Sequence, residues 1–95
     1  EIRALNQTFS DTDVVVTGLK GHTGHTGASS GAMNIIAGLG AMAGGQLTHI
    51  AGTTTLDAEI DFDVAIGQPR SVDVEHLQVN SFGFGGQNAS VIISR

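Results

Sequence analysis

The chain contains no cysteine, which excludes a disulfide framework, a zinc–thiolate site and a thiol nucleophile among its own residues. Charge is also scarce. Charged residues make up 14% of the sequence, only 4 are Lys or Arg, and the formal net charge is −5. With no basic cluster, nucleic acid and anionic membrane are excluded as expected partners. No apolar run reaches the length of a membrane span, and no signal-peptide pattern opens the chain. The cytoplasm is therefore the expected compartment. The scarcity of charge carries a further implication. A free-standing small domain covers its surface with charge, so much of this surface is expected to face other protein.

What is present is a globular composition. The 95 residues are 40% hydrophobic, enough for one small domain or part of a larger one. Ile2, Leu5 and Phe9 fall on one face of a helix that starts at Glu1 without a capping residue. A helix beginning at full stride predicts a chain cut from something longer, incomplete on its N-terminal side. Ser10-Asp11-Thr12-Asp13 is a turn, and Val14-Val15-Val16-Thr17 suits a buried parallel strand. Ala32, Ile35, Ile36, Leu39 and Ala43 recur at helical spacing, with Ser29 or Ser30 as cap and Gly44-Gly45 as stop. Glycines at 31, 38 and 40 each cost about 1 kcal/mol in a helix interior. This predicts a buried central helix with another backbone packed closely on it. Residues 46–57 read as loop with a short extended piece, residues 59–64 as a half-exposed strand, and residues 67–70 as a turn. His76–Ser81 and Ala89–Ser94 read as an antiparallel hairpin. The order of elements indicates an α/β or α+β sheet with buried helices.

Two glycine-rich runs carry the candidate chemistry. The first, Lys20-Gly21-His22-Thr23-Gly24-His25-Thr26-Gly27, lies between the β-branched strand and the apolar helix. That position in α/β proteins gathers side chains and free backbone N–H groups at a sheet rim. Its glycines do not follow dinucleotide spacing, and Lys20 precedes the run instead of closing it, which speaks against a phosphate cradle. A metal pair from His22 and His25 lacks further ligands, since His49 and His76 stand in unrelated contexts. Two readings stay open. In one, the glycines only turn the chain and the histidines bond backbone. In the other, an imidazole stabilises negative charge developing on a carbonyl oxygen, with Lys20 tuning it. The second run is Asn80-Ser81-Phe82-Gly83-Phe84-Gly85-Gly86-Gln87-Asn88. It is either a hairpin turn with a core aromatic, or a loop whose glycines let Phe84 swing as a gate and free an N–H to face an oxyanion.

Together, in this order and at this separation, the two runs resemble the lysine and glycine-histidine motif and the C-terminal glycine loop of the β-ketoacyl synthases. The resemblance covers nearly the whole chain. It implies the C-terminal part of a thiolase-like fold, layered α-β-α-β-α, with a buried Gly/Ala-rich helix against a mixed sheet. Residues 1–95 would then be the C-terminal segment of a ketosynthase domain.

The family condenses an acyl group, held on a cysteine, with the enolate left by decarboxylation of a malonyl thioester. The resemblance implies that His25 hydrogen-bonds the malonyl thioester oxygen and that Lys20 supports its electrostatics. It implies that Phe84 is the gate and its N–H half of an oxyanion hole, within a gating loop of Phe82, Gly83, Phe84, Gly85 and Gly86. The cysteine and a first histidine would belong to upstream segments, so this stretch alone would be inactive as an acyltransferase. Gln87 stands where threonine is frequent, Asn34 where many fatty-acid-type members have glutamate, and His22 where histidine is unusual. His22 is read as a surface residue, with a tuning residue as the alternative. No metal and no cofactor are implied beyond the phosphopantetheine of an acyl carrier protein. The implied partners are that carrier, the N-terminal part of the synthase, and a second subunit in a homo- or heterodimer. Either fatty-acid or polyketide synthesis fits. A non-catalytic chain-length-factor-like subunit is the alternative.

Overall fold

The computed structural model describes residues 1–95 and is a mixed α/β arrangement. Helix α1 spans Ile2–Phe9, with Ile2, Leu5 and Phe9 half-buried on one face as their spacing requires. Glu1 precedes it and provides no side-chain cap. Strand β1, Val15–Val16, is followed by a single helical turn α2, Lys20–Thr23, and a 3₁₀ turn, Gly27–Ser29. Helix α3 then runs from Ser30 to Gly44 and stops at Gly45, whose φ of 71° is the left-handed conformation that ends helices. Short strands β2 (Gln46–Leu47), β3 (Asp63–Val64) and β4 (Arg70–Ser71) precede the long hairpin of β5 (His76–Phe82) and β6 (Asn88–Ser94).

The strands form three separate two-stranded sheets: β1 with β3, β2 with β4, and β5 with β6. The expected parallel pairing of the valine run is present, with Val15 opposite Asp63 and Val16 opposite Val64. The hairpin is antiparallel with His76 opposite Ser94 and Phe82 opposite Asn88. Leu77, Val79, Val91 and Ile93 alternate onto one of its faces, and Gln78, Asn80 and Ser90 bond one another on the other. The unpaired edges of β1 and β5 line one cleft of about 860 Å³, with Asn34, Ala37 and Gly38 of α3 beside them.

Several expectations need correction. The core is small: only Ala41, Met42, Val64 and Ala65 are buried. Helix α3 is therefore buried at one turn and not along its length. Ile36 (68% exposed) and Leu39 (43%) face solvent because no other element of the chain covers that side. Valines 14–16 are half-buried for the same reason. The close partners of the helix glycines are side chains, not backbone. A Cβ at Gly38 would lie 3.0 Å from Leu77 Cδ2, one at Gly31 would lie 3.8 Å from Ser81 Oγ, and one at Gly40 would meet nothing within 4 Å.

Neither serine caps α3 through its side chain. The Ser29 hydroxyl donates to the Thr26 carbonyl at 3.0 Å, because the preceding 3₁₀ turn runs straight into the helix. Residues 59–61 do not extend into a strand, since α1 holds them. Asn6 Nδ2 donates to the Glu59 carbonyl at 2.7 Å, and Asn6 Oδ1 accepts from the Asp61 N–H at 2.8 Å.

Candidate functional site

The lysine/histidine run is not a plain loop. Lys20, Gly21, His22 and Thr23 form α2, and the Gly24 N–H closes it on the Lys20 carbonyl at 2.9 Å. Gly24 then adopts φ 75° and ψ 179°, a conformation costly to any side chain, and swings the chain outward into His25. Gly21 is also required as glycine, because a Cβ there would sit 2.0 Å from the Ala51 carbonyl oxygen.

His25 lies at the surface and makes one hydrogen bond: its Nδ1 accepts from the Gly27 N–H at 3.0 Å. A backbone N–H can only donate, so Nδ1 carries no proton and the neutral ring holds its proton on Nε2. That nitrogen has no partner within the chain and is free to donate outward. Lys20 is exposed, and the two ion pairs of the chain join Arg70 to Asp63 and Arg95 to Asp73, so its ammonium is unpaired. Asn34 is half-buried and lines the large cleft.

The second run forms the tip of the β5–β6 hairpin. The Gly83 N–H donates to the Gln87 carbonyl at 2.8 Å, and the Gly86 N–H to the Gly83 carbonyl at 3.1 Å. Gly86 takes the positive φ of 87° that the turn needs. These bonds leave the amides of Phe84 and Gly85 without an acceptor. The ring of Phe84 is fully exposed and Phe82 is 56% exposed, so neither is a core aromatic in this chain. The Gln87 side chain folds back across the loop, with Oε1 2.8 Å from where a Cβ on Gly83 would be.

The N-terminal end of α3 abuts the end of β5 through Gly31 and Ser81, which sets the His25 segment and the Phe84 loop at the same end of the helix–hairpin unit. The principal clefts do not join them. The larger of the two reaches Leu19 and Asn34 but includes none of Lys20, His25 and Phe84. A smaller cleft of about 350 Å³ lies between α1 and residues 50–64, away from both runs.

Sequence reasoning missed one contact. His22 Nε2 donates to the His49 carbonyl at 2.8 Å, and the two rings meet edge to face, with centroids 5.2 Å apart and planes at 81°. His49 is thus not in an unrelated context, and His22, though exposed, is bound. The only hint in the sequence is Gly21, whose missing side chain admits the partner segment.

Two kinds of outward donor therefore stand at the surface, the Nε2–H of His25 after the strand–helix junction and the unpaired amides of the glycine hairpin. A family model described as "Beta-ketoacyl synthase, C-terminal domain" matches residues 1–54. The 3-oxoacyl-[acyl-carrier-protein] synthase 2 of Mycobacterium bovis is 33% identical over 95 residues, covering 100% of this chain and 23% of that protein. The Synechocystis protein of the same name is 31% identical over 97 residues, with 100% and 23% covered, and the Staphylococcus aureus protein is 26% identical over 97 residues, also with 100% and 23% covered. The chain belongs to the β-ketoacyl synthase family, as a C-terminal region. It spans about a quarter of the length of these relatives. The hairpin loop lies outside the family-model match but inside the span shared with the relatives. No helix is long and apolar enough to cross a membrane.

Proposed function

We propose that these residues supply the decarboxylation and gating half of the active site of a β-ketoacyl-[acyl-carrier-protein] synthase. In that reaction a malonyl thioester loses CO₂, and the electron pair of the broken C–C bond becomes an enolate. The enolate carbon attacks an acyl group held as a thioester on a cysteine. A new C–C bond forms, the C–S bond breaks, and a 3-oxoacyl thioester results. The observation that carries the reading is the state of His25. Its proton sits on the outward Nε2, where it can donate to the thioester oxygen as negative charge builds there. The unpaired ammonium of Lys20 adds a positive field at the same turn. The free amide of Phe84 is half of the oxyanion hole for the acyl carbonyl, and its ring, on the glycine hinge Gly83, Gly85 and Gly86, gates access to the thiol.

The thiol must come from residues outside these, because the sequence holds no cysteine. The same residues outside would cover Ile36, Leu39 and Ile92, which are exposed here. Such an enzyme takes its substrates from an acyl carrier protein. The donor-ready His25 favours an active subunit over a non-catalytic partner.

The test is a His25→Ala change in the full-length synthase. Malonyl decarboxylation should fall by about 10²-fold or more, while transfer of the acyl group to cysteine continues at the wild-type rate. Equal loss of both half-reactions would contradict the role given to His25.

A further inference from the structure

We propose that His22 is the positioning residue that fixes His25 at the thioester oxygen, a role that rests on the reading of His25 given above. A single helical turn such as α2 is not stable by its own hydrogen bonds, so tertiary contacts must hold it. Two do. Gly21 lies directly on the Ala51 carbonyl, where a Cβ would come within 2.0 Å of the oxygen. Beside it, His22 reaches the His49 carbonyl at 2.8 Å with its ring edge-on to that of His49. A carbonyl only accepts, so Nε2 of His22 carries the hydrogen.

The partner segment is itself fastened to the sheet. The Ile50 N–H donates to the Ala65 carbonyl at 2.8 Å, and the Ala65 N–H to the Val16 carbonyl at 2.9 Å. Thr17 Oγ1 donates to the Thr48 carbonyl at 2.5 Å. An unbroken series of hydrogen bonds therefore runs from β1, across residue 65 to residues 48–50, and ends on the ring of His22.

The geometry beyond His22 gives this bond its leverage. Gly21 has no side chain, so its contact with Ala51 is a pivot that does not stop rotation of α2. The chain leaves α2 through Gly24 straight into His25, and His25 has no bond to any distant element, only the local one from Gly27. The His25 ring is thus held from two sides, by the Gly27 N–H of the 3₁₀ turn that leads into α3 and by α2 through Gly24, and the side-chain restraint on the α2 side is His22. A displacement of about 1 Å in a catalytic group can cost on the order of 10²-fold in rate.

The test uses the full-length synthase that carries this segment. His22→Phe keeps an aromatic edge against His49 and removes the donor. His22→Gln places an amide N–H at the reach of Nε2. The Phe variant should lower kcat for malonyl decarboxylation by about tenfold or more, and the Gln variant should recover to within about threefold of wild type. Acyl transfer to cysteine should hold in both. Wild-type decarboxylation in the Phe variant, a Gln variant as impaired as Phe, or equal loss of both half-reactions would each overturn the role. His25→Ala measured alongside separates the two claims. If it spares decarboxylation, the functional reading fails. If it abolishes decarboxylation while His22→Phe does not, only the positioning role fails. Should His22→Phe not fold, ring-nitrogen NMR of the wild type decides: an Nε2–H tautomer of His22 with slowed proton exchange is expected, and an Nδ1–H tautomer overturns the proposal.

Discussion

A histidine can stabilise negative charge on a thioester oxygen only if the nitrogen facing that oxygen carries the proton. In His25 this is arranged by one residue two positions on, since the Gly27 amide occupies Nδ1. No acid or base partner is needed to select the tautomer, and the Lys20 ammonium stays unpaired. Phe84 offers a second separation of roles within one residue: a backbone amide that any residue would supply, and a ring that only an aromatic supplies. Phe84→Ala removes the ring and keeps the N–H. In the full-length synthase this variant should accept acyl thioesters over a wider range of lengths, while the rate of acylation for the preferred substrate stays within about threefold of wild type. Competition between acyl thioesters of different length measures it. Unchanged length preference would remove the gate, and loss of acylation itself would mean that the amide is in place only when the ring holds it there.

At the scale of elements, the positions of both runs depend on how α3 meets the hairpin. Gly38 and Gly31 let the helix lie down on β5 at Leu77 and Ser81, and this fixes the helix entry near the loop tip. Gly38→Val should force Leu77 from its place and destabilise the fold by about 1–3 kcal/mol. Leu77→Ala in the same chain should return part of that loss, giving a coupling above about 0.5 kcal/mol in a double-mutant cycle followed by urea unfolding. Strict additivity would mean that the two do not touch.

This scale also separates what the sequence disclosed from what it withheld. Helices α1 and α3, strand β1 and the hairpin announce themselves through periodicity, because their apolar residues alternate or recur along one stretch of chain. Helix α2 is hidden by its glycine, which reads as loop although it is needed for contact with Ala51. The failure of residues 59–61 to extend depends on Asn6, more than fifty positions away. The partner of His22 lies 27 positions along the chain, where no local pattern can point. The motif residues His25, Lys20 and Phe84 stand out in the sequence as candidates. Their tautomer, free amide and supports do not, since those are properties of folded backbone.

Across these 95 residues, three small sheets share only four buried residues, so polar ties between the sheets carry much of what joins them. Arg95, at the C-terminus, donates to the Met42 carbonyl of α3. The stronger tie joins β3 to β4. Arg70 grips Asp63 with two nitrogens, one at 2.7 Å, and donates to the Val64 carbonyl at 3.0 Å. Hydrogen bonding from Arg70, with its positive charge adding to it, holds the Asp63 carboxyl below the usual carboxylate range. The sign of the pH effect follows from that depression. The pair stabilises the fold above the unfolded-state pKa of about 4, and this contribution is lost as pH falls through the lower folded-state value. The side chains are 35% and 49% exposed, so the contribution is modest and screened by salt. Asp63→Asn should therefore lower the melting temperature at pH 7, and the gap to wild type should narrow as the pH is taken down through the unfolded-state value of about 4 and below it. Added salt at pH 7 should narrow the same gap. A non-zero difference between the two proteins that stays constant over this range would show that Arg70 holds the neutral carboxylic acid as well as the carboxylate, and that the tie is one of geometry and not of charge.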